Sequence, residues 1–343
     1  MNAQSVTKEY KKKTWSIFTP LPEKVSWGLS MEAAVRKIMK NYQTYCRWAP
    51  SLGKLEATHQ EVWGTEDYVW WKHRYRPTVF FGLYDLRDYV ALHWHKGRRW
   101  VLWAGSDIRN LAGNFYETDG KLHKLSGSIP GFNEFVIKLL KEESIEHWVE
   151  NEKEAEALTE LGIRVSGICP SFLGSVDLPV TFVAKERPDA YLSSGSDRQR
   201  EYGFGIIESI APYLPWITFN LYGAEWKTEH KNVVVHGRVS KEKMNEETAR
   251  MQIGLRLNEF DGFSEIMAKA VLRGQYAIGK VVHPHIPSFR NEMELIAKLN
   301  SLRKMQRPNF AVRDYYRSRL NNYPWNQLIK GMTAKTETIY YEE

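Results

Sequence analysis

Between Gly254 and Ile278 the chain reads GLRLNEFDGFSEIMAKAVLRGQYAI, and this stretch gathers groups suited to a charged ligand. The pattern is a strand, a loop carrying Asp261, Gly262, Phe263 and Ser264, a helix, and a second strand. Gly262 lets the backbone approach a ligand closely. Ser264 is placed to cap the helix, whose first amides then point at whatever sits above the C-terminal edge of the sheet. Open α/β sheets bind their ligands at that edge, and Asp261 puts a carboxylate there. An ordinary capped turn is the competing reading of the same four residues.

Other segments place polar groups at similar points. SSGSDRQREYG, Ser193 to Gly203, follows an expected strand and combines Gly195 with Arg198 and Arg200. Guanidinium groups in such a loop could stabilise a departing anion without a metal, or simply be solvated. Gly223 in LYGAE, and Gly237 with Arg238 in VVVHGRVSKEKM, end further strands. In the first half, Trp27-Gly28-Leu29-Ser30 lies between an expected strand and a helix. Asp107 in WAGSDIRNL is either a polar group lining a cleft or a helix N-cap. His93 with His95, and His283 with His285, come without a clear third ligand and read as surface or loop residues. No GxxxxGK[ST] loop and no GxSxG elbow occurs, which argues against a P-loop kinase and an α/β-hydrolase. GFGIIE lacks the full GxGxxG of a dehydrogenase.

These groups need elements to hold them, and the chain supplies an alternating series. PTVFFGLY reads as a buried strand, DLRDYVALHWHKG as a helix and RRWVLWAGSDI as the next strand. Helices over EFVIKLLKEE and EKEAEALTELG and a strand over IRVSGI follow. After the irregular, proline-bearing stretch Pro170–Pro188 a second series begins, with strands at DAYLSSG, WITFNLYG, VVVHGRV, QIGLRLN and QYAIGKVV separated by helices. Such alternation with short connections predicts parallel sheets covered by helices. Two α/β domains are expected, residues 1–185 and 186–343, the second ending in a helical, aromatic-rich tail from about Met293.

Composition agrees. The 343 residues are 43% hydrophobic and 26% charged, with a net charge of +7, the profile of a globular protein long enough for two cores. No run approaches the ~18 apolar residues of a membrane span. The N-terminus has no apolar core of a secretory signal, and two lone cysteines suggest a reducing compartment. A cytoplasmic location is therefore expected. Eight glutamates between Glu142 and Glu160 face only Lys153, whereas six Lys/Arg between Arg303 and Arg319 face only Asp314. These runs read as solvated helix faces, or the basic one as a wall for an anionic ligand. Thirteen tryptophans, several interleaved with arginine, read mainly as core and core-edge residues. Any that line a cleft could stack on sugars or bases.

The Gly254–Ile278 stretch resembles the donor-binding motif of retaining GT-B-type glycosyltransferases, the glycosyl transferase group 1 (family 4-like) superfamily. Asp261, Gly262, Phe263 and Ser264 take its first four positions, and Ala270 and Gly274 fall in step. Its second acidic position is Lys269 here. The Gly195–Arg200 loop, Gly223 and Gly237 resemble the family's diphosphate and nucleoside segments in order, over about residues 188–280. The Trp27–Ser30 and Asp107 segments are similar to its first-domain loops.

The resemblance implies two Rossmann-like domains facing an interdomain cleft, and a glycosyltransferase using a UDP-, GDP- or other NDP-sugar. Asp261 would face the transferred sugar. Gly28, Gly195, Arg198, Arg200, Gly223, Gly237, Arg238, Gly262, Phe263, Ser264 and Lys269 would surround the donor, and Asp107 would line the reaction cleft. Lys269 could contact a phosphate, or the nucleoside could be held differently. No metal or other cofactor is expected, since no Asp-x-Asp of the GT-A type is present. The acceptor would be a saccharide, a lipid-linked or a small-molecule hydroxyl. Two alternatives stay open: transfer to modified (hydroxymethylated) DNA bases, and a non-catalytic nucleotide-sugar-binding protein.

Overall fold

The structure is a computed structural model that describes residues 43–326, apart from 54, 56, 119–120, 126–129 and 196–197. The expected Gly28 loop lies outside the described residues.

The first sheet is built from β1 (Tyr45–Trp48), β2 (Glu66–Asp67), β3 (Thr78–Phe81), β4 (Arg99–Leu102), β7 (Ile145–Val149) and β8 (Val165–Ile168). Its order is β2-β1-β3-β4-β7-β8 and all its pairings are parallel. Every residue of TVFF and RWVL is buried, as expected of central parallel strands covered on both faces. The helices here are α1 (His59–Trp63), α2 (Trp70–His73), α3 (Leu86–Trp94), α4 (Ser106–Ala112), α5 (Phe132–Leu140) and α6 (Glu152–Glu160). A small antiparallel pair, β5 (Phe115–Thr118) with β6 (Lys121–Lys124), stands apart.

The second sheet contains β9 (Asp189–Ser193), β10 (Thr218–Tyr222), β11 (Val233–Gly237), β12 (Ile253–Arg256) and β13 (Tyr276–Gly279). Its order is β11-β10-β9-β12-β13, again all parallel. Helices α7 (Phe204–Ile210), α8 (Lys241–Thr248) and α9 (Glu265–Leu272) connect its strands. Then α10 (Glu292–Ser301) and α11 (Phe310–Arg317) follow. Every residue of α9 except its first is buried, which fits its apolar run IMA-AVL. Past α11 the chain reaches the first sheet, where Tyr323 and Trp325 join a core with Trp63, Val79, Trp100 and Leu102.

One reading of charge and pattern is corrected and a second is refined. The acidic run Glu142–Glu160 is not one solvated helix face: it contains β7, whose Ile145, His147 and Val149 point inward, and it buries Glu150 and Glu154. IEHWV hid as a strand because charged neighbours surround its short alternation. In the basic run, Arg313 is mostly buried and donates to the carbonyls of Leu272 and Leu178. It ties α11 down, while Arg303, Lys304, Arg307, Arg317 and Arg319 are exposed, as a solvated face requires.

Candidate active site

In the second sheet the strand order reverses between β9 and β12, so a crevice opens at their C-terminal ends. A cavity of about 410 Å³ lies there, lined among others by Ser193, Lys241, Arg256, Asp261, Ser264 and Lys269. Arg256, the last residue of β12, donates from Nε to Oδ2 of Asp261 at 2.5 Å. Its guanidinium also lies over the Tyr202 ring, 4.4 Å from the centroid. Ser264 caps α9 by accepting from the Met267 amide, so the positive end of the helix dipole faces the cavity. Glu265, in the first turn, is held at both oxygens, by Lys269 at 2.5 Å and by Lys241 at 3.2 Å. Lys269 donates as well to Oδ1 of Asn245. The lining thus carries three cations, Lys241, Arg256 and Lys269, against Asp261 and Glu265, a balance that favours an anion.

The loop bearing Asp261 is also gripped by the first sheet. Glu150 follows β7 directly, and its Oε2 accepts from the Phe263 amide at 2.6 Å while Oε1 accepts from the Ser171 hydroxyl. Asn151 donates from Nδ2 to the Asp261 carbonyl at 2.8 Å, and Lys153 from Nζ to the Glu259 carbonyl at 2.5 Å. Gly262 is required at this junction, because a Cβ there would meet Glu150 Oε2 at 1.7 Å. Behind the loop, burial raises the Glu150 carboxyl to about 8 and Asp107 to about 7. Burial pushes Glu154 well above the carboxylate range too. Few charges can be sustained in so dry a cluster.

The expected residues fall into distinct places. Asp261, Ser264 and Lys269 come together around the cavity. Phe263 turns away from it, stacking on Tyr316 at 4.6 Å and meeting His283 edge-on. Gly223 has φ +92°, and a Cβ there would strike the Ser194 carbonyl at 2.1 Å. It therefore lets the end of β10 pass close to the loop after β9. Gly195, Arg198, Arg200 and Arg238 are exposed, and Arg198 pairs with Glu201. Neither Arg198 nor Arg200 is among the side chains lining the cavity. Gly237 ends β11 with φ +62°, next to Glu225.

Asp107 is fully buried, with its carboxylate accepting from the amides of Leu83, Ala104 and Ile108. It is neither exposed in the cleft nor the N-cap of α4, which is Gly105. Its place is to tie the loops after β3 and β4 together. Sequence reasoning passed over Arg256, Lys241, Glu265, Glu150 and Asn151. A lone arginine closing the apolar strand IGLR was the one signal for the first. Glu150 and Asn151 could be found only once IEHWV was seen as a strand.

Two of the further cavities that border the first sheet stand out. One, of about 160 Å³, lies where the sheets meet and is lined by Leu52, Phe81, Ala104, Leu173 and Glu150 with Phe263 and Glu265 from the second half. The other is a groove of about 920 Å³ between α2 and α3, with Trp70, Trp71, Trp94 and Arg74 on its walls. Among the described residues no group of three or more His, Cys, Asp or Glu is arranged to hold a metal ion, and no helix is long and apolar enough to cross a membrane.

No protein-family model matches the chain, and no curated protein matches it. Solved structures do. Sucrose-phosphate synthase from Thermosynechococcus elongatus superposes with a TM-score of 0.50 at 10% identity, covering 78% of this chain and 74% of that one. TarM gives a TM-score of 0.45 at 11% identity, covering 79% of this chain and 56% of that one. The pneumococcal O-GlcNAc transferase GtfA, solved with UDP and GlcNAc, gives 0.45 at 11% identity, covering 77% and 57%. The chain thus spans a little over half the length of the last two. Two parallel Rossmann-like sheets whose C-terminal edges face a common seam are the GT-B fold, and this chain has it.

Proposed function

We propose that the protein is a glycosyltransferase that moves a sugar from a nucleotide-sugar donor to an acceptor hydroxyl. One observation carries the reading: a cation-rich cavity at the switch point of the second sheet, with a helix N-terminus and Asp261 on its rim. A diphosphate placed there meets Arg256, Lys241 and the first turn of α9. Those groups stabilise the charge that builds on the departing NDP as the sugar passes through an oxocarbenium-like state, and no metal is called on for it. Asp261, held by Arg256, presents its carboxylate to the sugar.

Lys269 is already engaged by Glu265 and Asn245. Glu265, one turn before it, is the carboxylate in this reading that meets the ribose. The nucleotide is UDP or GDP, transfer retains anomeric configuration, and the protein acts in the cytoplasm. The acceptor enters from the seam between the sheets, where Leu52, Phe81 and Leu173 suit the apolar face of a saccharide or a lipid-linked or small-molecule acceptor. That cavity carries no cation for a phosphodiester backbone, although Arg319 lines a neighbouring cavity between the halves, and a saccharide or small-molecule acceptor is preferred here over modified DNA.

Calorimetry with UDP and GDP, followed by hydrolysis of UDP-glucose, UDP-N-acetylglucosamine and GDP-mannose, tests the proposal. Binding of one nucleotide with slow release of its sugar is expected, both reduced by Arg256→Ala. Nucleotide binding without any sugar release would establish the non-catalytic alternative. An absence of nucleotide binding would end both.

A further inference from the structure

The sequence places Asp261 in the second half of the chain, but the structure hands control of its backbone to the first half. Three consecutive contacts do this. Glu150 Oε2 accepts from the Phe263 amide at 2.6 Å, Asn151 Nδ2 donates to the Asp261 carbonyl at 2.8 Å, and Lys153 donates to the Glu259 carbonyl at 2.5 Å. Within its own half, Asp261 is tied by its side chain to Arg256.

Glu150 has the tightest fit of the three. Its Oε2 fills the space a Gly262 side chain would take, and Gly105 brings the loop after β4 up to the Gly262 amide, 3.0 Å from where a Gly105 Cβ would stand. Its other oxygen pairs with the Ser171 hydroxyl, which can accept the carboxyl proton when Glu150 is neutral, and its own amide donates to Glu154 Oε2 at 2.8 Å.

We propose that Glu150 is a positioning residue that acts across the junction of the two sheets, holding the Asp261–Phe263 backbone in register with the donor cavity, and that it does so as a neutral carboxylic acid. The inference rests on the donor-site reading above. Its geometry does not, because the contacts exist whatever the cavity binds.

The neutral state follows from what surrounds the group. Glu154 on α6 and Asp107 on α4 are buried carboxyls, Asp261 is a third acid across the junction, and Cys169 and Tyr323 lie against the far side. His283, which faces the loop from the second half, is driven down to about 4 by burial and stays uncharged. Of the cations at the loop, Arg256 is taken by Asp261, Lys153 by the Glu259 carbonyl and Lys280 by the Glu259 carboxylate. Burial holds the Glu150 proton until about pH 8. Ionisation above that adds a charge beside Asp261 in a dry junction, which disfavours the closed register.

The test uses the full chain with Glu150→Leu and Glu150→Gln. Glutamine keeps an oxygen for the Phe263 amide and can donate to Ser171, without ever carrying charge. In Glu150→Leu the Phe263 amide should lose its protection in hydrogen exchange, and turnover of the best NDP-sugar should fall about a hundredfold, the scale of a small misplacement at a reacting centre. UDP or GDP affinity should change little. Glu150→Gln should restore both exchange protection and turnover, and should remove the part of the alkaline decline in turnover that belongs to Glu150. A glutamine variant as defective as the leucine variant would overturn the neutral-acid role. Unchanged exchange and turnover in a folded Glu150→Leu would overturn the positioning role. Should the parent protein turn over no NDP-sugar at all, the exchange experiment still decides the positioning contact, and only the transfer reading fails.

Discussion

The two sheets of this molecule share one topology principle and present opposite chemistry at the same edge. At the C-terminal end of the second sheet Lys241, Arg256, Lys269, Asp261 and Glu265 surround a cavity open to a charged ligand. At the corresponding end of the first, Leu52, Phe81, Ala104 and Leu173 form a small apolar pocket that Glu265 reaches from the second half, and the first half's own carboxyl there, Glu150, is buried. The strand order dictates where a ligand sits, while the residues closing each strand dictate what it is. The proposed donor suits one side of the seam and a largely uncharged acceptor the other.

Several experiments would sharpen or break this division. Arg256→Ala removes the cation that orients Asp261 and that the proposal sets against the diphosphate. Turnover should fall by about a hundred- to a thousandfold, as when one donor to a developing oxyanion is lost, and steady-state kinetics would show it. A loss below tenfold would put the anion elsewhere. Gly262→Ala forces a methyl into Glu150 Oε2, so thermal unfolding should show a loss of about 1–3 kcal/mol from overpacking. Combining it with Glu150→Ala should return much of that loss, whereas additive losses would mean the clash is not with Glu150.

Stability should also depend on pH in a defined direction. Glu150 and Asp107 bind their protons more tightly folded than unfolded, so their contribution is complete below the ordinary carboxylate range. It is lost as pH rises through about 7 for Asp107 and about 8 for Glu150. Denaturant titrations between pH 5 and pH 9 would read this decline (roughly one such step per buried carboxyl), and Glu150→Gln should flatten its upper part. The smallest effect is expected from Arg198→Ala with Arg200→Ala. Both side chains are exposed, so nucleotide affinity should change by less than about fivefold. A larger loss would bring the loop after β9 back into the donor site.

Much of the second half was legible. The strand–loop–helix at Gly254–Ile278 and the Ser264 cap both rest on local signals: apolar runs, a capping residue and breakers. The first half was harder to read. IEHWV is short and embedded in glutamates, and β1 and β2 span only four and two residues. Asp107 was picked out for its place after a strand, yet burial and three amide donors give it a scaffolding task that no local pattern announces. Glu150 illustrates the deeper limit. Its partner Phe263 is 113 positions away, and only the meeting of the two sheets makes the pair.

Tyr323 and Trp325 stack on each other at 4.4 Å and sit fully buried against Trp63, Trp100 and Trp148. This has a consequence for biosynthesis. The half of the protein that leaves the ribosome first cannot complete its interior until residues near 325 have been made, so the two halves mature together rather than in succession. Trimming the chain before Tyr323 should cripple the distant first half more than the second, whose own interior would remain whole.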